Sequence, residues 1–207
     1  MSAFWKGIKQ PLLVTLALLL ICGLAYPLLL TGISQIIFPK RANGSLIKID
    51  GQAIGSELIG QDFTDARFLK SRPSAVNYNT YTAADQASGN YTGVGSGSKN
   101  YAPTNPELVK RVEADISEFL EAHPSLRRED IPTDLLTASG SGLDPHLSPA
   151  SAAVQLPALV EATGLSDETL TAILKANTQG KFLGIFGEET VNVLKVNLAI
   201  ANELGLL

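Results

Sequence analysis

Ser139, Asp144 and His146 bring a hydroxyl, a carboxylate and an imidazole into one short stretch, the ingredients of a nucleophilic hydrolase. Proximity along the chain does not make a triad, which is defined by the spatial roles of its members. The chain carries no Gly-x-Ser-x-Gly elbow to present a serine on a strained turn. Asp144-Pro145 and Ser148-Pro149 read instead as turn and helix-cap chemistry, with Asp144 folding onto its own backbone. Gln155, on the helix that follows, reads as a structural amide. The chain has two histidines and one cysteine, Cys22, which excludes a His-rich metal site and an internal disulfide. The run Gly93–Ser98 (GVGSGS) resembles a phosphate loop only superficially, because Gly97-Ser98-Lys99-Asn100 lacks the Gly-Lys-Ser/Thr order at a helix start. The Asp-Lys-Thr-Gly phosphorylation motif of P-type pumps is also missing. No catalytic residue is assigned, and this chain alone is not expected to hydrolyse ATP.

The element that positions everything else is apolar. From Pro11 to Phe38 the chain has no Asp, Glu, Lys, Arg or His, and a helix needs about 20 such residues to cross a bilayer. Pro11 suits the first helical turn, and Pro27 is a kink that membrane helices tolerate. Phe4, Trp5, Lys6 and Lys9 on one flank, and Lys40 and Arg41 on the other, read as interfacial anchors. The run is too long for the core of a cleavable signal peptide, and Leu20-Ile21 before Cys22 does not fit a lipoprotein site. Lys6, Lys9 and the terminal amine lean toward a cytoplasmic N-terminus. The expected layout is a short cytoplasmic tail (1–10), a transmembrane helix (11–38) and an extracytoplasmic soluble domain (39–207) at the bacterial plasma membrane. Gly23 and Ala25, with Pro27 beyond, offer a small-residue face for packing against another membrane helix.

The net charge of −4, without a basic patch, argues against nucleic acid. In the soluble part, Ser45–Asp50 reads as a strand entering an Asp50-Gly51 turn, with Ile54, Leu58, Ile59 and Phe63 as core candidates after it. Ser71–Ser74 is a loop, and 77–105 is a polar, glycine-rich surface loop whose tyrosines suit a partner contact. Asn105 caps a helix with Pro106 in its first turn and a Thr104/Glu107 box; Leu108, Val112, Ile116 and Phe119 form its inner face, and His123 ends it as a surface residue. Residues 130–137 suggest a strand. Ser148-Pro149 opens a helix that Pro157 kinks or restarts, and Ser166 opens another that Gly180 closes. Residues 188–207 fit either helix or strand spacing. The fold class is α+β: one transmembrane helix, then short strands and several helices.

The segments GSELIGQDF (55–63), RPSAVNYN (72–79), PTNPELV (103–109), LDPHLSPASAAVQLP (143–157), LGIFGEE (183–189) and VNVLKVNLAI (191–200) together resemble the C subunit of the bacterial Kdp potassium-transporting P-type ATPase. Their order and number cover nearly the whole chain. The resemblance implies a non-catalytic accessory subunit of a high-affinity potassium uptake complex, needed for assembly and described as a catalytic chaperone that raises the pump subunit's ATP affinity. It implies as partners the channel-like A subunit, the ATP-hydrolysing B subunit, the small F subunit and membrane lipid. ATP would be met only together with the pump subunit, and no cofactor is firmly bound. The chain departs from the family pattern in a lengthened 90–100 loop, in Ala158 and Glu161 where a basic residue is common, and in Glu188-Glu189-Thr190 in place of Glu-Pro-Arg. Asp144, His146 and Gln155 remain as transferable positions, with Gly23 and Pro27 as candidate interface residues. A membrane-anchored hydrolase using His146 and an anchored solute-binding module are the competing readings.

Overall fold

In a computed structural model of the chain, residues 2–89 and 93–207 are described, with side chains from residue 7 onward. The side chains of the Phe4, Trp5 and Lys6 anchors, and the part of the lengthened loop at 90–92, therefore lie outside what is described. The chain divides into two compact units, Met1–Leu46 and Ile47–Leu207.

The first unit is helical. Helix α1 runs Ser2–Leu20, a π turn occupies Ile21–Ala25, α2 runs Tyr26–Ile37 and a short α3 covers Pro39–Ala42. Helix α1 begins nine residues before Pro11, so Pro11 sits inside the helix and not in its first turn. The consequence is one missing backbone hydrogen bond, because proline has no N–H to donate to the carbonyl four residues back. At Pro27 the same deficit is met by widening. The Tyr26 N–H reaches back to the Ile21 carbonyl, five residues away, and Pro27 falls in the first turn of the next α segment. A π turn is a recognised way to absorb such a break. Gly23 lies within this wide turn, and a Cβ added there meets nothing within 4 Å. The 31-residue segment Gly7–Ile37, whose most apolar 18-residue window has a mean hydropathy of 2.5, is long and apolar enough to cross a membrane. Phe38 leaves the helical region (φ −133°) as the residue before Pro39 must.

The second unit is α+β. Strands β1 (Leu46–Ile49) and β2 (Gln52–Ser56) form a hairpin. Asp50 (φ 49°) and Gly51 (φ 79°) make its left-handed two-residue turn, the conformation that matches strand twist. A second sheet has the order β3-β5-β4, all antiparallel: His146–Leu147, Thr190–Asn192 and Thr178–Gln179. Helices α4 (Ala83–Ala87), α5 (Pro106–Ala122), α6 (Pro149–Ala153), α7 (Leu156–Thr163), α8 (Asp167–Ala176) and α9 (Val193–Glu203) complete it. The core gathers Leu69, Ile116, Leu147, Leu159, Leu170, Val191, Val196 and Ile200. Phe63 packs against this core, whereas Leu58 and Ile59 are exposed, contrary to expectation.

Proline and side-chain caps set most helix starts. Asn105, Ser148, Ser166 and Asn192 each accept a backbone N–H from the first turn of α5, α6, α8 and α9. Asn105 takes the cap itself, so the Thr104/Glu107 box does not form. Helix α8 ends at Asn177, whose amide donates to the Ile173 carbonyl, earlier than the expected Gly180. Residues 130–137 make two 3₁₀ turns, Arg128–Asp130 and Thr133–Leu135, in place of a strand. Pro132 cannot donate to a ladder, and the Thr137 hydroxyl bonds the Thr133 carbonyl locally. The ambiguous C-terminal stretch is both structures in turn: β5, then α9 once Asn192 caps it.

Candidate functional site

Asp144 is the hub of a network built from segments far apart in sequence. Its Oδ2 accepts from Arg72 Nη1 at 2.7 Å, and both side chains are mostly covered. Its Oδ1 accepts the His146 N–H at 3.0 Å, the turn geometry expected of an Asp before proline. The His146 ring lies close, with Nδ1 3.7 Å from Oδ1. The Asp144 carboxyl is held below the usual carboxylate range by the His146 side chain, then by the His146 N–H and Arg72, against the opposing effect of burial.

Around this hub the loop backbones are fixed one to another. Gly60 N–H donates to the Leu143 carbonyl at 2.8 Å. A Cβ at Gly60 would stand 2.6 Å from the Asp144 carbonyl oxygen and 2.6 Å from Tyr78 Cε1, so only glycine permits this approach. The Tyr78 hydroxyl donates to the Arg72 carbonyl, and burial pushes its phenol up to about 12. Asn77, Tyr78 and Asn79 all have positive φ, a conformation asparagine tolerates but that costs tyrosine about 1–2 kcal/mol. The ring packed at Gly60 and the hydroxyl bond hold Tyr78 there. Ser74 Oγ donates to the Gly142 carbonyl at 2.6 Å. On the other side of His146, Asn192 Nδ2 stands 3.4 Å from Nε2 and donates to the Glu57 carbonyl at 2.8 Å.

Two buried amides do similar work deeper in the domain. Asn197 Oδ1 accepts the Leu69 N–H at 2.8 Å, and its Nδ2 donates to the Leu69 carbonyl at 2.9 Å. Gln155 Oε1 accepts the Lys70 N–H at 2.9 Å, and its Nε2 donates to the Ser151 carbonyl at 3.0 Å. The loop segment Leu69-Lys70 thus obtains from side chains the backbone bonds it lacks from a sheet or helix. A third centre is Asp134, whose carboxylate accepts from the Ser148 N–H and from the Ser148 and Ser151 hydroxyls. Burial raises its carboxyl, but those donors outweigh it and hold it below the usual range.

The expected site residues therefore divide. Asp144 and His146 are brought together, but Ser139 is not part of their cluster: its hydroxyl accepts the Gly142 N–H at 2.8 Å, inside its own turn. Gln155 borders a groove of about 530 Å³ that Lys70, His123 and Glu161 also line, with its amide bonded to backbone. His123 is buried, not a surface residue. Its Nδ1 lies 2.8 Å from the Phe119 carbonyl, and its ring stacks on Phe119 at 4.0 Å. Beside His146 is a cleft of about 220 Å³, lined also by Glu57, Asn177, Asn192 and Lys195, below the range of most small-molecule sites. Among the described residues no three His, Cys, Asp or Glu side chains are grouped to hold a metal. Arg72, Tyr78, Asn192 and Asn197 were not singled out from the sequence. Asn197 had a signal, an amide between Val196 and Leu198 on a helix otherwise apolar there. Arg72 had none, because its partner is 72 positions away.

Asp144→Asn should destabilise the full chain in detergent by about 1–3 kcal/mol, by breaking a covered ion pair. The sign with pH follows from the depressed carboxyl. The folded chain holds Asp144 ionised at a lower pH than the unfolded chain does, so its contribution is complete above the ordinary carboxylate pKa of about 4 and is lost as pH falls through the folded value. Thermal melting across pH 2–7 should show a smaller acid loss in the variant. Parallel curves would contradict the assignment.

A helix long and apolar enough to cross a membrane, followed by a small α+β domain whose polar centres fasten loops to one another, defines the class. The family model for KdpC, the K+-transporting ATPase c chain, matches residues 8–202. A potassium-transporting ATPase KdpC subunit from Clostridium kluyveri is 75% identical over 206 residues, covering 100% of this chain and 98% of that protein. Those from Clostridioides difficile strain 630 and Caldanaerobacter subterraneus are 58% and 44% identical, each covering at least 96% of both chains. The chain belongs to the KdpC family, the c chains of K+-transporting ATPases.

Proposed function

We propose that the chain is a non-catalytic accessory subunit of an ATP-driven, high-affinity potassium uptake complex, where it assembles and stabilises the other subunits. Membership of the KdpC family over residues 8–202 is the observation that carries this reading. Support comes also from the polar centres: the Asp144, Gln155 and Asn197 side chains are committed to backbone and ion-pair partners, as fits a scaffold. The partners are a channel-like subunit, an ATP-hydrolysing pump subunit and a small membrane subunit. ATP is met only through the pump subunit, whose affinity for it this chain raises. Gly23 and Pro27 mark the face of the span that packs against the channel-like subunit, and the lipid bilayer surrounds the rest. The single span enters from a cytoplasmic N-terminus, so the soluble domain lies outside the plasma membrane.

Deleting this gene alone should abolish growth at low external potassium. His146→Ala should reduce growth only in proportion to the amount of assembled complex. A purified chain that hydrolyses esters or peptides, and loses that activity in His146→Ala, would contradict the reading. For orientation, a reporter active only in the cytoplasm, fused after Leu207, should be silent; strong activity would reverse the topology and bring the domain to the side where ATP is.

A further inference from the structure

The connection between β4 and β5 carries the most apolar exposed surface of the second unit. Phe182, Leu183, Ile185 and Phe186 are 70, 74, 75 and 62% exposed. Together these side chains present roughly 500 Å² of apolar area, at the upper end for a single patch on a soluble surface. The segment has a fixed shape. Phe182 N–H donates to the Phe186 carbonyl at 2.8 Å, and Phe186 N–H returns a bond to the Phe182 carbonyl at 2.9 Å. Leu183 (φ 55°) and Gly184 (φ 74°) form the left-handed turn at its tip. Its root is the β4–β5 pair, Thr178 to Val191 and Gln179 to Thr190, and Val191 is buried in the core.

Such a hairpin offers its side chains already ordered, so that little conformational freedom is lost when they are covered. The charges at its base indicate what covers it. Lys181 is paired with Glu188 at 3.4 Å, the Glu188 side chain is 85% exposed, and the exposed Glu189 follows it. The base is thus net acidic. Amphipathic segments that settle into bilayer interfaces are rich in Lys or Arg beside their apolar residues. An acidic collar instead complements a protein pocket with a basic rim.

We infer that the Phe182–Phe186 hairpin is a docking tip that inserts into an apolar, Lys/Arg-rimmed pocket on another protein subunit of the potassium-transporting assembly. The inference rests on the accessory-subunit reading and adds to it the surface and the partner's chemistry. Phe182 and Phe186 supply the anchoring rings, Leu183 and Ile185 fill the end of the pocket, and Glu188 and Glu189 meet the rim. Aromatic anchors of this kind carry most of the energy of an interface.

The test uses the full chain, tagged and co-expressed with the other subunits, and recovered from detergent-solubilised membranes. Leu183→Asn combined with Ile185→Asp keeps a residue tolerant of positive φ at the tip, and both positions are exposed, so the domain should melt as wild type. Recovery of partner subunits should fall roughly tenfold. Glu188→Lys with Glu189→Lys should lower recovery several-fold, more at low than at high salt. In a Cys22→Ser background, which removes the only other cysteine, Leu183→Cys carrying a benzophenone should cross-link to a partner subunit in native membranes. Recovery unchanged by the tip variants, or adducts to lipid alone, overturns the inference while leaving the accessory-subunit reading intact. A wild-type chain that recovers no partner overturns both.

Discussion

Asn197→Leu should destabilise the chain by about 2–5 kcal/mol, because it strands two buried backbone groups at about 1–3 kcal/mol each. The Leu69 N–H and carbonyl take both their side-chain bonds from the Asn197 amide, and Leu69 has no solvent exposure from which water could replace them. Leucine keeps asparagine's branching and suits a helix, but its methyls are bulkier than the amide, so some overpacking of this buried site adds to the hydrogen-bonding loss. For a chain of this size the shift in melting temperature is roughly 10 °C. Gln155→Leu removes the Lys70 N–H bond at 2.9 Å, a long one, 3.4 Å, to the Lys70 carbonyl and the bond to the Ser151 carbonyl at 3.0 Å, but it should cost less because Lys70 is only half-buried and water can reach its backbone. The exposed Glu121→Gln serves as control. If Asn197→Leu melts with the control, the Asn197 amide is not what holds the Leu69 backbone.

These centres also mark where sequence reading reaches its limit. Local chemistry was legible. The Asp50-Gly51 turn, the caps at Asn105, Ser148 and Ser166, and the restart at Pro157 each depend on a few adjacent residues, and each stands where expected apart from the Thr104 box. The apolar run Pro11–Phe38 is likewise readable, because membrane length and the absence of charge are properties of a single segment. Long-range chemistry was not legible. Nothing near Asp144 announces Arg72, and nothing near Leu69 announces Asn197, 128 positions on. His123 misled for the same reason: a helix end is a surface site by default, and only tertiary packing buries it against Phe119. Residues 130–137 failed as a strand because Pro132 and the Thr133–Thr137 bond satisfy the backbone locally. The segments that carry the family resemblance gain a physical meaning from the fold. Gly60, Arg72, Ser74, Tyr78, Asp144 and Asn192 come from four of them, and all lie around one polar hub.

The second large effect is on transport. An accessory subunit does no chemistry on ATP or potassium, yet an assembly that needs it for stability loses activity as a whole when it is removed. The expected pattern has two parts. Omitting the chain should remove nearly all activity, whereas variants that keep the fold, His146→Ala among them, should retain activity per assembled complex. A catalytic role for His146 would produce the opposite, full assembly with activity lost. Because the reading concerns coupling between subunits, loss should appear in potassium dependence and apparent ATP affinity together.

The most direct measurement is potassium-stimulated ATP hydrolysis by the complex purified from membranes, with this chain present, absent, or added back to membranes before solubilisation. The account predicts less than about a tenth of the activity in its absence, with a weaker apparent ATP affinity in what remains, and recovery on adding the chain back. A complex lacking the chain that assembles fully and hydrolyses ATP with unchanged potassium and ATP dependence would contradict it.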